Sequence, residues 1–361
     1  METAPVQRVF GLGGAGGRVA DAVARATAGH LPATVIDCDF ASLGSLKACQ
    51  PFFLGQSSSR FSGGQGSGGD VAAVRMAAEE QAGALSALLD GVSLAIVVAG
   101  LGGGVGSGLL SAFLDLAAER NVRTVVFAVT PFAMEGPERL RAAAAALSAA
   151  EGKGDLRLQF SNDDLAGRAA GITLEAAFAR ATETLVSGLT LFWRLGAHPA
   201  YLALDPGSLL SLAVDGRGAV DMGVGRGQGP DRFPDAMDGL LRDPALGLER
   251  RAETARAALV GVIGGRDLRL AECGDAVRAV AGLLPPGTPV RLSVALEPEA
   301  EGTVSVVALF FRSWAGADEA EGGAPAPRAA GGSAGAEPSV VDGQDLDVPT
   351  YIRLGLRIDP A

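Results

Sequence analysis

Two glycine-rich segments constrain this chain more than any other feature. The first, GLGGAGG at 11–17, follows an apolar run at 6–10, and the second, GLGGGVGSG at 100–108, follows another at 94–99. Each segment leads into a helical pattern. A strand–glycine–helix unit directs backbone N–H groups and a helix N-terminus at one point, which is how many proteins hold phosphate groups. Two such units in one domain predict a polyphosphate that is held from two sides.

Charge and cysteine content narrow the possible partners. The net charge of −11 disfavours binding to nucleic acid or anionic lipid, because both need basic patches. The three cysteines, Cys38, Cys49 and Cys273, are scattered, so neither disulfides nor structural zinc is expected. The N-terminus has no signal pattern, and the uncharged stretch at 91–114 holds too many glycines for a membrane helix. We therefore expect a cytoplasmic protein that neither binds nucleic acid nor inserts into a membrane.

Strand and helix patterns alternate from residue 6 to about residue 130, which predicts an α/β fold with a Rossmann-like parallel sheet. Strands are expected at 6–10, 34–37, 94–99, 123–129 and 156–160, and helices at 17–28, 71–89, 108–120 and 137–150. The apolar-periodic stretch 172–192 predicts a long, buried central helix. Strands at 257–263, 289–296 and 303–311, with a helix at 271–284, predict a smaller α+β domain. The Ser- and Gly-rich stretch 57–69 predicts a mobile loop near the ligand.

The C-terminal region changes in composition. Residues 316–344 are rich in Gly, Ala, Pro, Ser and Glu and cannot bury a core, so a disordered linker is expected. The block at 345–353 again combines apolar and charged residues, which is typical of a docking peptide; a frayed tail is the alternative. The predicted divisions are a nucleotide-binding domain (1–170), the central helix and connector (171–198), a C-terminal domain (199–315), the linker (316–344) and the peptide (345–361).

The first glycine segment permits another interpretation. Gly11, Gly13 and Gly16 fit the G-x-G-x-x-G pattern, and Asp37 and Asp39 end the next predicted strand, where a dinucleotide-binding fold places its ribose-binding acid. On this evidence alone the chain would be an NAD-dependent oxidoreductase. That fold has no second glycine-rich phosphate loop, however, and the chain offers no evident His or Tyr proton relay. Close helix–sheet packing would explain one or two glycines of the second segment, but not six.

The sequence GGGVGSG at 102–108 resembles the GGGTG[ST]G signature of the tubulin/FtsZ superfamily. Further segments resemble those of the FtsZ family of bacterial cell-division GTPases, in the same order and over nearly the whole chain. They are the phosphate loop at 13–17, PFAMEG at 131–136 with Arg139, SNDDL at 161–165, DLRL at 267–270 and the C-terminal peptide at 345–353. The resemblance implies a GTPase that binds GTP or GDP with Mg²⁺ and polymerises head to tail into filaments for cell division.

The resemblance also implies which residues hold the nucleotide. The glycine segments would bind the phosphates, Glu135 and Arg139 the ribose and phosphates, and Asn162 and Phe178 the guanine. For Glu135 and Arg139 a structural salt bridge is the alternative, and for Phe178 a place in the core. The predicted set is Gly13, Gly14, Gly16, Gly17, Arg18, Gly103, Gly104, Val105, Gly106, Ser107, Glu135, Arg139, Asn162, Phe178, Thr182 and Glu183. No side chain is expected to bind the metal directly, because Mg²⁺ would bridge the phosphates.

Several of these positions depart from the family pattern. Val105 occupies the position of a Thr, and a lost hydrogen bond to a charged phosphate costs about 1.5–3 kcal/mol. Arg18 replaces an Asn and adds a positive charge that can compensate. Thr182 and Glu183 stand where the family has the Asn and Asp that read the guanine edge.

The largest departure is in the predicted activating loop, ALDPGS at 203–208. In this family, acids of the loop act in trans on the nucleotide of the next subunit. Only Asp205 remains, and Ser208 replaces the other acid. Because losing a positioned carboxylate costs roughly 10²–10⁴-fold in such a step, we expect slow GTP hydrolysis. A non-hydrolysing, nucleotide-bound filament scaffold is the alternative.

The C-terminal peptide resembles one that docks a membrane-tethering adaptor. The residues expected to carry this contact are Asp347, Val348, Pro349, Tyr351, Ile352 and Arg353. The resemblance therefore implies three kinds of partner: further copies of this chain, an adaptor, and other division proteins. It also implies a location at the division site, beneath the inner membrane.

Overall fold

The computed structural model describes residues 6–55, 61, 63–166, 173–196, 200–202, 219–243, 245–246 and 252–312, together with 340–341 and 344–345. The chain divides into two compact units, Met1–Trp314 and Ala315–Ala361. In the second unit, two short strands, Val340–Val341 and Gln344–Asp345, pair antiparallel. The predicted activating loop and residues 346–361 of the predicted docking peptide lie outside the described ranges.

The first half of the larger unit is a parallel α/β sheet. Its strands are β1 (Gln7–Leu12), β2 (Ala33–Asp37), β3 (Gln50–Phe53), β4 (Leu94–Gly100), β5 (Arg123–Thr130) and β6 (Leu156–Ser161). Its helices are α1 (Gly13–Ala26), α2 (Phe40–Gly44), α3 (Val71–Glu80), α4 (Ala82–Ala87), α5 (Gly104–Glu119), α6 (Pro137–Ala149) and α7 (Asn162–Ala166). The strand order is β3-β2-β1-β4-β5-β6, with every neighbouring pair parallel.

Side chains of the central strands alternate between two buried clusters, one on each face of the sheet. Val9 lies in the cluster that includes α1, whereas Phe10, the next residue, lies in the cluster that includes α3 and α5. Because successive residues of a strand point to opposite faces, both faces need helices to cover them. The predicted parallel sheet with helices on both faces is confirmed.

The second half begins with the long helix α8 (Leu174–Gly196), which buries Leu185, Leu189 and Leu195. It continues through β7 (Ala200–Leu202), β8 (Ala219–Gln228), α9 (Arg232–Arg242), β9 (Ala255–Gly264), α10 (Leu270–Ala281), β10 (Val290–Leu296) and β11 (Thr303–Arg312). Parallel pairing between β6 and β8 joins these strands to the first sheet, so that one sheet, with 11 strands among the described residues, runs through both halves. Antiparallel pairs of β11 with β8 and β9 give this half the predicted α+β character.

The glycine segments form the first turns of helices instead of separate loops. Helix α1 begins at Gly13 and α5 at Gly104, four residues earlier than expected in each case. The helix expected at 71–89 is interrupted at Gln81, whose side-chain Oε1 accepts a hydrogen bond from the Gly55 N–H at 2.6 Å.

Some elements were not predicted from the sequence. They are the short elements α2, β3, α7 and β7, the strand β8 and the helix α9. Strand β8 carries Gly223, Gly225 and Gly227, a composition that disfavours strands; a Cβ on Gly225 would lie 1.8 Å from the Ala236 carbonyl oxygen of α9. Of the helices in the described ranges, none is long and apolar enough to span a bilayer.

Candidate functional site

The two glycine turns meet at the carboxyl ends of adjacent parallel strands. Gly13, which follows β1, has φ +72°, and a Cβ placed on it would lie 3.2 Å from the Gly106 nitrogen and 3.3 Å from Val105 Cβ. Both residues belong to the turn that follows β4, the neighbour of β1. The convergence of the two segments, predicted from the sequence, is confirmed.

A cavity of about 640 Å³ opens where the turns meet, a size typical of small-molecule sites. Its wall is built from the N-termini of α1 and α5, the loops after β2 and β5, the start of α7, and one face of α8. The predicted residues that line it are Gly13, Gly14, Gly16, Arg18, Gly103, Gly104, Val105, Gly106, Glu135, Arg139, Asn162, Phe178 and Thr182.

Three predicted residues lie away from the cavity wall. A Cβ on Gly17 would come within 2.7 Å of Val35 Cγ1, so this glycine serves the packing of α1 on β2. Ser107 is buried, and its Oγ accepts a hydrogen bond from the Gly102 N–H at 2.8 Å, which holds the second turn in shape. Glu183 is exposed on α8 and interacts electrostatically with Arg226 of β8. In this structure, packing and helix geometry place the side-chain positions of all three away from the cavity wall.

The N-termini of α1 and α5 at the cavity differ from those of the neighbouring helices α2 and α3. Neither α1 nor α5 has a side-chain cap, and neither has an acidic residue in its first turn. By contrast, Asp39 caps α2 by accepting from the Ala41 N–H at 2.8 Å, and Asp70 caps α3 by accepting from the Ala73 N–H at 2.9 Å. Uncapped first turns present N–H groups and the positive end of the helix dipole. Two of them on one cavity create a site for an anion with more than one phosphate.

Most of the clustered glycines are also required by close packing. Within the second segment, a Cβ on Gly100 would lie 2.5 Å from Ala15 Cβ, one on Gly106 2.0 Å from the Gly100 carbonyl oxygen, and one on Gly108 2.8 Å from Val74 Cβ. The expectation that packing needs only one or two of these glycines was therefore wrong. Gly103 differs, because no heavy atom lies within 4 Å of its Cβ position and it faces the open cavity. Packing brings the helices close to the strands, and the same closeness aims their N-termini at the cavity.

The loop after β5 places an ion pair on the cavity wall. Glu135 Oε2 pairs with Arg139 Nη1 at 2.5 Å, and Glu135 Oε1 accepts from the Phe132 N–H at 2.9 Å. The salt bridge that the sequence offered as an alternative therefore exists. Both side chains still line the cavity, so the pair can support the loop and present the guanidinium to a ligand.

Helix α8 contributes a largely apolar part of the cavity wall. Phe178, Ala181 and Leu185 of α8 line it, together with Thr182 and Asn162. The ring of Phe178 packs edge-on against that of Phe132, with centroids 4.9 Å apart. Phe178 thus contacts the core and also presents a ring surface to the cavity, so that its two interpretations are compatible.

Ser42 and Ser45 also line the cavity and were not predicted, whereas the lining residues Gly66 and Ser67 belong to the 57–69 segment that was expected near the ligand. The sequence indicated a role for Asp37 and Asp39 only as part of an oxidoreductase. Asp37 is buried beside Gly14, and its Oδ1 accepts from the Cys38 N–H at 2.8 Å. Burial raises the pKa of the Asp37 carboxyl, and a hydrogen bond from Ser42 opposes that shift. The signal that could have found these residues is their position just after β2, since parallel neighbours end at one edge of a sheet.

The described residues contain no group of three or more His, Cys, Asp or Glu side chains that could hold a metal ion. The wall does carry the hydroxyl residues Ser42, Ser45 and Ser67, and hydroxyl oxygens are suitable partners for a hydrated Mg²⁺ ion.

In comparison with known proteins, the sequences of both halves of the sheet match family models. Residues 8–169 match the model described as Tubulin/FtsZ family, GTPase domain, and residues 218–311 match that of the FtsZ family, C-terminal domain. The cell division protein FtsZ of Caulobacter vibrioides is 30% identical over 300 residues, covering 82% of this chain and 58% of the relative. The chain thus spans little more than half the length of that relative. FtsZ 1 of Pyrococcus abyssi is 28% identical over 301 residues, covering 83% and 79% of the two chains.

Solved structures share the fold. The empty FtsZ dimer of M. jannaschii has a TM-score of 0.76 and 25% identity, over 86% of this chain and 89% of that one. CetZ2 of Haloferax volcanii, solved as a GTPγS-bound protofilament, has a TM-score of 0.68 and 23% identity, over 87% and 95%.

Proposed function

Because this chain belongs to the tubulin/FtsZ family, we propose that it binds GTP between its two glycine turns and polymerises head to tail. The observation that carries the proposal is the meeting of two uncapped helix N-termini, those of α1 and α5, on one cavity. Their N–H groups and dipoles favour a polyphosphate over a neutral ligand. The match of residues 8–169 to a GTPase domain supports GTP as that polyphosphate.

Different residues along the cavity would bind different parts of the nucleotide. Gly14, Gly103 and the first turns of both helices would receive the phosphates, and Arg18 would add a positive charge there. Arg139, held by Glu135, would meet the ribose and phosphates, and Phe178 would stack on the base. The triphosphate itself would hold any Mg²⁺, whose chemistry there would be to supply positive charge against the phosphates.

Filament growth would follow from the placement of the catalytic acid. We propose that Asp205 acts on the nucleotide of the next subunit and orients the attacking water. A nucleotide on one face and its activator on another make a head-to-tail contact, which does not close on itself and therefore propagates. The FtsZ dimer and CetZ2 protofilament structures of the relatives are consistent with such assembly.

Hydrolysis would be slow, for two reasons. Ser208 cannot take a proton from water at neutral pH, so the loop has lost one of its acids. Val105 is buried against the turn of Gly13 and offers no hydroxyl to the phosphates. These features also support the second candidate, a filament scaffold that binds nucleotide without turning it over.

The C-terminal peptide would connect the filament to other proteins. We propose that residues 347–353 dock a membrane-tethering adaptor, with Pro349, Tyr351 and Ile352 as the anchors. The protein would then act in the cytoplasm at the division site.

The test is phosphate release measured at several protein concentrations, with sedimentation in GTP and in a non-hydrolysable analogue. A site shared between subunits predicts a threshold concentration for turnover. Asp205→Ala should abolish release while leaving GTP affinity unchanged, and Ser208→Asp should raise turnover. Equal pelleting without release would favour the scaffold. Binding of NAD but not GTP would refute the proposal and favour an oxidoreductase.

A further inference from the structure

Guanine and adenine differ at the edge that proteins read by hydrogen bonds. Guanine presents the N1–H and N2–H₂ donors beside the O6 acceptor, whereas adenine presents an N6–H₂ donor beside the N1 acceptor. A carboxylate accepts both guanine donors at once but faces the lone pair of adenine N1. A site without a carboxylate at this edge therefore lacks this two-pronged means of preferring guanine.

One face of α8 supplies the base end of the cavity, and Glu183 is not on that face. The lining positions Phe178, Ala181, Thr182 and Leu185 follow the i, i+3, i+4, i+7 spacing of a single helix face. Glu183 is rotated about 100° from Thr182, is exposed, and interacts with Arg226 of β8.

The polar side chains that do line this end are Thr182 and Asn162. Thr182 Oγ1 donates to the Phe178 carbonyl oxygen at 2.9 Å, so towards a ligand it can only accept. The N2–H₂ of guanine and the N6–H₂ of adenine can both donate to it. The Asn162 amide can donate or accept, depending on its orientation.

The remaining acidic residues of the described cavity wall are engaged elsewhere. Asp37 and Asp39 follow β2, and Asp37 Oδ2 lies 3.7 Å from the Cβ position of Gly14, at the phosphate end. Glu135 is bound to Arg139 and to the Phe132 N–H. No described carboxylate of the wall is thus placed to read a base that stacks on Phe178.

We propose that this site accepts adenine as well as guanine, so that the protein binds GTP and ATP with similar affinity. The inference rests on the proposed function, since it takes the ligand to be a purine nucleoside triphosphate. A hydrogen bond to a charged group accounts for roughly 10- to 100-fold in affinity. Without it, the dissociation constants for GTP and ATP should agree within about fivefold.

The experiment is calorimetric titration of the full chain with GTP, ATP and UTP. We expect GTP and ATP to bind with similar affinity and UTP to bind more weakly, because its smaller ring stacks less on Phe178. A preference for GTP over ATP above about 30-fold would overturn the inference and leave the proposed function intact. Absence of binding by all three would overturn both.

Variants of the two neighbouring α8 residues sharpen the test. Thr182→Asp places a carboxylate on the lining face and should raise the preference for GTP over ATP about tenfold or more. The matched variant Glu183→Gln should leave the ratio unchanged; a selective loss of GTP affinity in it would show that Glu183 reads guanine and refute the inference. Thr182→Val, which keeps the side-chain shape, should weaken both nucleotides equally, and thermal melting checks that each variant folds.

Discussion

Replacing Gly103 and Gly106 by alanine, one at a time, separates phosphate binding from packing within a single turn. Gly103 has φ −94° and ψ 171°, a backbone conformation that alanine adopts readily, and nothing lies within 4 Å of its Cβ position. Gly106, three residues later, would place its Cβ 2.0 Å from the Gly100 carbonyl oxygen of β4.

The two variants should differ in stability. Ordinary contact begins near 3.4 Å, so Gly106→Ala requires a displacement of about 1.4 Å between α5 and β4. Overpacking that moves backbone costs about 3 kcal/mol, which lowers the melting temperature by roughly 6–12 °C. Gly103→Ala replaces an N-cap glycine at a cost of up to about 1 kcal/mol, so its melting temperature should change by less than about 4 °C.

In GTP binding the order is reversed, and Gly103→Ala should be the variant with the specific loss of affinity. The methyl group of Gly103→Ala would stand where a phosphate approaches the turn. Loss of one charged hydrogen bond, worth about 1.5–3 kcal/mol, should weaken GTP binding roughly 10- to 100-fold.

The assay is thermal melting with and without GTP, combined with calorimetric titration, because a ligand that binds the native state raises the melting temperature. Gly103→Ala should melt near wild type without nucleotide and gain little from GTP. If it bound GTP as tightly as wild type, the second glycine turn would not be part of the phosphate site. If Gly106→Ala had the same melting temperature as wild type, α5 could not lie as close to β4 as the 2.0 Å contact requires.

Two further variants test the wall of the cavity. Arg139→Met should leave the melting temperature nearly unchanged, because an exposed salt bridge contributes about 0–1 kcal/mol and the Arg139 side chain is 58% exposed. It should lower GTP affinity in titration, with Arg139→Lys partly restoring it; unchanged affinity would leave the pair with a structural role alone. Asp37→Asn tests the buried acid, whose raised pKa favours the protonated form in the folded protein. The stability contributed by that form is present in acid and is lost as the pH rises through the raised pKa. Urea denaturation across pH should therefore show wild type losing stability relative to Asp37→Asn as the pH rises, and parallel curves would contradict this.

Much of the fold could be predicted because its signals are local. Buried parallel strands such as β4 and β5 are continuous apolar runs, and α8 has clear apolar periodicity over its whole length. Strand β8 was not predicted because its alternate glycines resemble a loop, and only the packing of the α9 backbone and of Leu246 against them shows why they are needed. The break at Gln81 likewise depends on Gly55, 26 residues earlier.

The candidate site likewise has features that local sequence predicts and features that depend on tertiary contacts. Glycine spacing after two strands was enough to predict a polyphosphate site, since backbone donors at helix N-termini depend on chain geometry alone. Which face of α8 reaches the cavity, and hence whether Thr182 or Glu183 meets the base, follows from the rotation of that helix against the sheet. The placement of Asp37 beside Gly14 follows from the pairing of β2 with β1. These are contacts between residues distant in the chain, and folding alone brings them together.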